Sequence, residues 1–150
     1  MAVESVLANN AQSRVAAFEH SFRVYYEDTD AGGIVYHSNY LKYMERARTE
    51  WLSSLGVEID KLVEQFAVLF AVRSVNVQYL RPARLNNHLI ATVWPERLRG
   101  ASLELDQRVY REGELLTNAK IKLACVDANT LLPKAWPETL NEIFNAWKMS

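Results

Sequence analysis

Tyr25-Tyr26-Glu27-Asp28-Thr29-Asp30-Ala31-Gly32-Gly33-Ile34-Val35-Tyr36-His37-Ser38-Asn39-Tyr40 joins a strand pattern to a helix pattern, and those two flanks decide the fold. Upstream, Phe18, His20, Phe22, Val24 and Tyr26 alternate with Glu19, Ser21, Arg23 and Tyr25. That is the period of a half-buried strand over residues 18–26. Downstream, Tyr40, Tyr43, Met44, Ala47 and Trp51 recur at helical spacing, and Leu41, Leu52 and Leu55 widen the stripe. Ser38 or Asn39 is placed to cap this helix and Gly56 to stop it. A helix with so wide an apolar surface is expected to be largely enclosed by the rest of the fold. The loop between the flanks holds Glu27, Asp28 and Asp30, two glycines and His37. A carboxylate and an imidazole beside helix-terminal N–H groups form a site suited to polarising and attacking a carbonyl.

Outward from this stretch the pattern is mostly β. Residues 1–17 are small and polar with weak periodicity and read as an N-terminal arm. Residues 57–65 read as a short helix or turn. Residues 67–80 begin as an apolar run and end by alternating, until Arg81-Pro82 breaks the ladder, because proline cannot donate to it. Strands follow over residues 88–97 and 101–111. Arg111-Glu112-Gly113-Glu114 is a hairpin turn, and residues 115–126 form a long last strand. Pro133 and Pro137 end the sheet, and Leu140, Ile143, Phe144 and Trp147 mark a terminal helix. One long helix after the first strand, then a meander, predicts an antiparallel sheet wrapped around that helix. This is an α+β fold, with residues 18–150 as a single domain.

Composition narrows the function. The 150 residues are long enough for one sizeable core, and 49% apolar with 23% charged residues is an ordinary globular balance. A net charge of −1 gives no reason to expect nucleic acid as partner. No segment reaches the roughly 18 consecutive apolar residues of a membrane span, and the N-terminus lacks a signal-peptide pattern. Cys125 is the only cysteine, so no intrachain disulfide is available, and a reducing cytoplasmic setting is the expectation. Cys125 itself reads as a core filler. Asp28-Thr29-Asp30-Ala31-Gly32-Gly33 resembles the start of a calcium loop, but Gly32 occupies a ligand position and Asn39 stands where the bidentate Glu belongs. The three histidines and one cysteine are scattered singly, which gives no zinc set. Neither metal nor cofactor is expected.

The run from Tyr26 to His37, with the helix Asn39-Tyr40-Leu41-Lys42-Tyr43-Met44-Glu45-Arg46-Ala47-Arg48, resembles the hot-dog acyl-CoA thioesterases. Within them it is most similar to the 4-hydroxybenzoyl-CoA thioesterase group, and to its subgroup associated with the bacterial Tol-Pal system. Val72-Arg73-Ser74, Tyr79-Leu80-Arg81-Pro82-Ala83 and Ala124-Cys125-Val126-Asp127 fall where that family has similar blocks. Only the N-terminal arm departs, being longer than the family's usual start.

The resemblance implies a hot-dog fold and thioester hydrolysis with Asp30 as the catalytic carboxylate, acting as nucleophile or through a water. Tyr26 and His37 match the positions that accompany this aspartate. The N–H groups near Gly33 and His37 would stabilise the oxyanion, and Gly32 and Gly33 would allow the backbone to approach the substrate closely. Glu27 and Asp28 are read as solvated or loop-bracing acids, and His20 and His88 as structural or exposed. Arg81, Arg84 and Arg99, near strand ends, are candidates for the coenzyme A phosphates. The substrate carrier is coenzyme A or acyl carrier protein. The resemblance further implies a homodimer, often doubled to a homotetramer, with residues 66–71 of a partner chain completing the acyl pocket, and a cytoplasmic place that allows peripheral contact with the inner membrane.

Two other classes compete. A hot-dog dehydratase needs a His-Phe-Pro loop, which this chain lacks. A non-catalytic module binding acyl groups or acyl carrier protein, linked to envelope or phospholipid machinery, would have no need of Asp30.

Overall fold

The computed structural model describes residues 17–149, so all but the last residue of the expected arm lies outside the described residues. Five strands form one antiparallel sheet: β1 (Phe18–Arg23), β2 (Val68–Tyr79), β3 (His88–Arg99), β4 (Ser102–Arg111) and β5 (Glu114–Asp127). Their order is β1-β3-β4-β5-β2, which leaves β1 and β2 as the edges. The long helix α1 (Asn39–Ser54) packs over β1, β3 and β4. A short α2 (Leu62–Phe66) precedes β2, and α3 (Glu138–Met149) closes the chain. The hot-dog expectation therefore holds: an α+β fold, with the sheet curved around one helix.

The core lies between α1 and the inner face of the sheet. Leu89, Ala91 and Val93 of β3, Leu103, Leu105 and Val109 of β4, and Ala119, Ile121, Leu123 and Cys125 of β5 alternate onto this face. They meet Tyr43, Met44, Ala47 and Trp51 of α1, all buried. Phe144 of α3 stacks on Trp51 at 5.7 Å between ring centroids and closes one end of the core. Gln107 and Thr117 are buried polar residues on this face, and Gln107 is held by the helix. Its Nε2 donates to Met44 O at 3.0 Å and its Oε1 accepts from Arg48 Nη1 at 2.9 Å, so a fully buried amide finds partners on the helix. Pro95, in the middle of β3, sits where the register with β4 shifts, between Pro95 and Arg97. The bulge accommodates a residue that has no N–H for the ladder.

Three local expectations need correction. β1 ends at Arg23, and Tyr26–Asp28 forms a 3₁₀ turn, because the chain must leave the sheet to reach α1. The helix is not largely enclosed: it packs one face over β1, β3 and β4, and Leu41, on the other side, faces solvent. Ser38 occupies the cap position of α1 without giving a side-chain bond, and the Asn39 amide turns to Asp28. The stop at Gly56, with φ of +84°, is as expected.

Candidate active site

The loop between β1 and α1 is braced by a buried acid. Asp28 is 5% exposed. Its Oδ2 accepts from Tyr25 N and its Oδ1 from Asn39 Nδ2, both at 2.8 Å, so one carboxylate ties the loop entrance to the first residue of α1. Burial, and then the Asp28 carboxylate beside it, push the Tyr43 hydroxyl well above the ordinary tyrosine range, which keeps it protonated beneath the loop.

From this brace the chain runs out into a tight hairpin. Tyr36 N donates to Asp28 O at 3.0 Å and Asp30 N to Ile34 O at 2.9 Å, across the bridge between Thr29 and Val35. Gly33 N closes the turn on Asp30 O at 3.0 Å, with Gly33 at φ +79°, where an L side chain is strained. Asp30 is exposed at the tip. Its Oδ1 accepts from Gly32 N at 2.8 Å, and Oδ2 has no partner among the described residues. A Cβ on Gly32 would lie 3.2 Å from that Oδ1, so the absence of a side chain at residue 32 is what lets the carboxylate settle onto its own backbone.

Beside this hairpin lies a cleft of about 320 Å³, lined by Ile34, Val35, His37, Tyr40, Tyr79, Leu80, Arg81 and Pro82. His37 stands among aromatic rings, 4.5 Å from Tyr36 and 6.2 Å, edge-on, from Tyr79 between centroids. The Tyr40 hydroxyl accepts from Ala83 N at 3.1 Å, and burial raises its pKa. The amides of His37 and Ser38, at the uncapped entrance of α1, carry no hydrogen bond among the described residues. They leave the positive end of the helix dipole open beside the cleft.

The structure treats the other expected site residues unequally. Tyr26 is 82% exposed and its carbonyl, not its hydroxyl, is engaged, by Thr29 N and Oγ1. With the strand ending at Arg23, Tyr26 is carried away from the sheet's inner face, and its hydroxyl has no bond to Asp30. The Gly33 N–H is spent on the turn, so the free amides are those at the helix entrance. Arg81 lines the cleft and pairs with Glu114 at 3.2 Å. Arg84 is bridged through its backbone to Ile34. Arg99 is the last residue of β3, at the opposite end from His88 and the loop. Eleven residues of strand put it roughly 36 Å away along the sheet, so within one chain it does not join Arg81 and Arg84. Sequence reading missed the placement of Tyr40 and Tyr79 as cleft walls; the only signal was a tyrosine on an otherwise apolar face in each element. It also had no signal for the Asp28–Asn39 bond, which spans eleven positions across a change of secondary structure.

A larger cavity, about 520 Å³, lies elsewhere, on the outer face of the sheet between Ser74, Glu96, Glu104, Lys120 and Lys122. Its Lys120 is paired with Glu96 and Asp106. No nucleophile stands beside a base there, and chemistry favours the smaller cleft.

An antiparallel hot-dog sheet with an acidic hairpin at the helix entrance defines a thioesterase scaffold, and residues 32–117 match the thioesterase superfamily model. The chain belongs to that family. It is 38% identical to the acyl-CoA thioesterase YbgC of Haemophilus influenzae, over 87% of this chain and 96% of that one. It is 41% identical to the acyl-CoA thioester hydrolase YbgC of Escherichia coli, over 82% and 92% respectively. A solved structure from Bartonella henselae, 31% identical, superposes with a TM-score of 0.78 and covers 81% of this chain and 100% of its own. No helix among the described residues is long and apolar enough to cross a membrane.

Proposed function

We propose that this chain is an acyl-CoA thioesterase in which Asp30 carries the chemistry. The observation behind this reading is the Asp30 carboxylate itself. It is exposed at the tip of a hairpin, held by one backbone N–H, and the same hairpin lines an aromatic cleft through Ile34 and Val35, with unpaired helix-entrance amides at His37 and Ser38. The acyl carbon is attacked by Asp30, or by a water that Asp30 deprotonates. The carbonyl oxygen turns toward the amides of His37 and Ser38, where developing negative charge is stabilised. The leaving thiol has a pKa of about 8.5, so it departs as thiolate with little help from an acid. His37, in the cleft wall, orients the carbonyl or the water, and Gly32 and Gly33 give the hairpin its shape. Tyr26 lies at the periphery. Arg81 and Arg84 are within reach of a phosphate leaving the cleft, on coenzyme A or on the prosthetic arm of acyl carrier protein.

The working unit in this proposal is a homodimer joined through β2. That edge strand exposes Val72 (52%), Val75 (40%) and Tyr79 (47%), an apolar strip that α1 covers only in part, through the Tyr40 ring on Tyr79. Pairing the two edges covers this apolar strip and satisfies the unpaired ladder. A two-fold axis near the middle of β2 sets Tyr79 of one protomer against the start of β2 in the other.

Thiol release from a panel of acyl-CoA esters, by wild type and Asp30→Asn, tests the proposal. Turnover by wild type that falls at least about a thousandfold in the variant is expected of a nucleophile or base. Equal rates in the two proteins would remove Asp30 from the chemistry.

A further inference from the structure

The segment from Leu80 to Asn87 belongs to no strand or helix, yet it is bonded to the hairpin, to α1, to β5 and to the exit of β1. Leu80 N and Arg81 N donate to Leu116 O at 2.8 and 3.1 Å. Val35 N donates to Ala83 O at 2.9 Å, and Ile34 bridges Arg84. At its far end, Asn87 O accepts from Val24 N at 2.9 Å, and Asn86 N donates to Val24 O at 3.1 Å. The same segment follows Tyr79, whose ring packs against His37 and Tyr40.

A single guanidinium grips this segment from behind. Arg111, the last residue of β4, donates from Nη1 to Pro82 O at 3.1 Å and to Asn87 Oδ1 at 2.9 Å. Its Nη2 donates to Glu114 Oε1 at 2.6 Å, and Glu114 Oε2 also receives Arg81 Nε at 3.2 Å. Asn87 Oδ1 accepts a second bond, from Arg84 N at 2.8 Å, so Arg111 and the segment's own backbone share that oxygen. Pro82 has no N–H with which to join a ladder, and its carbonyl depends on the arginine. The planar fork of arginine reaches three acceptors from two separated nitrogens, whereas a lysine ammonium carries its three donors on a single atom.

We infer that Arg111 is a positioning residue for the catalytic hairpin. Its grip on Pro82 and Asn87 fixes Ala83 and Arg84. These fix Val35 and Ile34, and Ile34 O receives the Asp30 N–H at 2.9 Å. The catalytic consequence rests on the Asp30 reading above, whereas the mechanical linkage does not depend on it.

Arg111→Ala and Arg111→Lys test the inference by two separate readouts. In hydrogen exchange, the Asp30 and Val35 amides lose protection in Arg111→Ala while the amides of central β3 keep theirs. In turnover, kcat falls on the order of a hundredfold, the scale of loss that a displacement of about 1 Å can cause. Lysine recovers little of it, and added guanidinium ion restores part of the rate in Arg111→Ala and none in wild type. Wild-type exchange at Asp30 and Val35 in Arg111→Ala would overturn the inference, as would equal loss of protection throughout β3. A wild type that cleaves no thioester would instead count against the enzymatic reading, because the exchange readout still judges the linkage.

Discussion

The two adjacent glycines of the hairpin separate catalysis from stability. Gly32→Ala introduces a Cβ 3.2 Å from Asp30 Oδ1, inside the ordinary contact distance. The carboxylate must give by a few tenths of an ångström, and its 2.8 Å bond from Gly32 N lengthens to about 3.1 Å, near the upper end of the range for such a bond. Complete loss of that charge-assisted bond would cost about 1.5–3 kcal/mol where it is made in the transition state, so weakening it should lower kcat by roughly tenfold and at most about a hundredfold. The backbone at residue 32 has no positive φ, and the fold should lose little. Gly33→Ala is the converse. Its new Cβ meets nothing within 4 Å, but φ of +79° imposes about 1–2 kcal/mol of backbone strain. Urea unfolding should therefore show a lower midpoint for Gly33→Ala, and thiol release a lower kcat for Gly32→Ala. Full kcat in Gly32→Ala, or a larger rate loss in Gly33→Ala than in Gly32→Ala, would refute the assignment of the Gly32 amide to the Asp30 carboxylate.

Two further outcomes follow from other contacts. A double-mutant cycle on Asp28→Ala and Asn39→Ala should give a coupling energy of about 1.5–3 kcal/mol, as expected of a buried bond to a charged group; additivity within experimental error would mean the brace is dispensable. Asp106 should make stability pH-dependent. Burial opposes its ionisation, but bonds from Lys120 at 2.9 Å and from Arg108 at 2.9 and 3.2 Å outweigh it and hold the carboxyl below its ordinary range. With the folded pKa below the unfolded one, its contribution is present above about pH 4 and is lost as pH falls toward the lower folded value. The stability gap between wild type and Asp106→Asn, measured by urea unfolding, should narrow below about pH 4; a gap independent of pH would contradict this sign.

Most of the architecture was legible in residue spacing. Alternation marked β1 to β5, helical spacing marked α1 and α3, and Gly56 marked the end of α1, because each depends on neighbours within a few positions. The pairing of β3, β4 and β5 follows from their short connections, but the meander expected through all four later strands does not hold: β2 pairs with β5 at the far edge, not with β3. The motif around Asp30 pointed to the thioesterase family from residue identity alone.

Tertiary structure decided what local spacing cannot encode. Asp28 and Asp30 are two residues apart and similar in sequence context, yet one is buried against Asn39 and the other stands in solvent. Arg81 and Arg99 both sit near strand ends, but only the length and direction of β3 put Arg99 at the wrong end of the sheet. Arg111, in a hairpin that reads as a surface turn, became the clasp of a segment 24 to 29 residues away in sequence. By itself, the sequence determined which elements form and which loop carries the acidic family motif, because periodicity and turn chemistry are short-range. Which acid is buried and which cation reaches the cleft were decided only by the packing of distant segments, where desolvation and hydrogen-bond geometry act between residues that no local pattern connects.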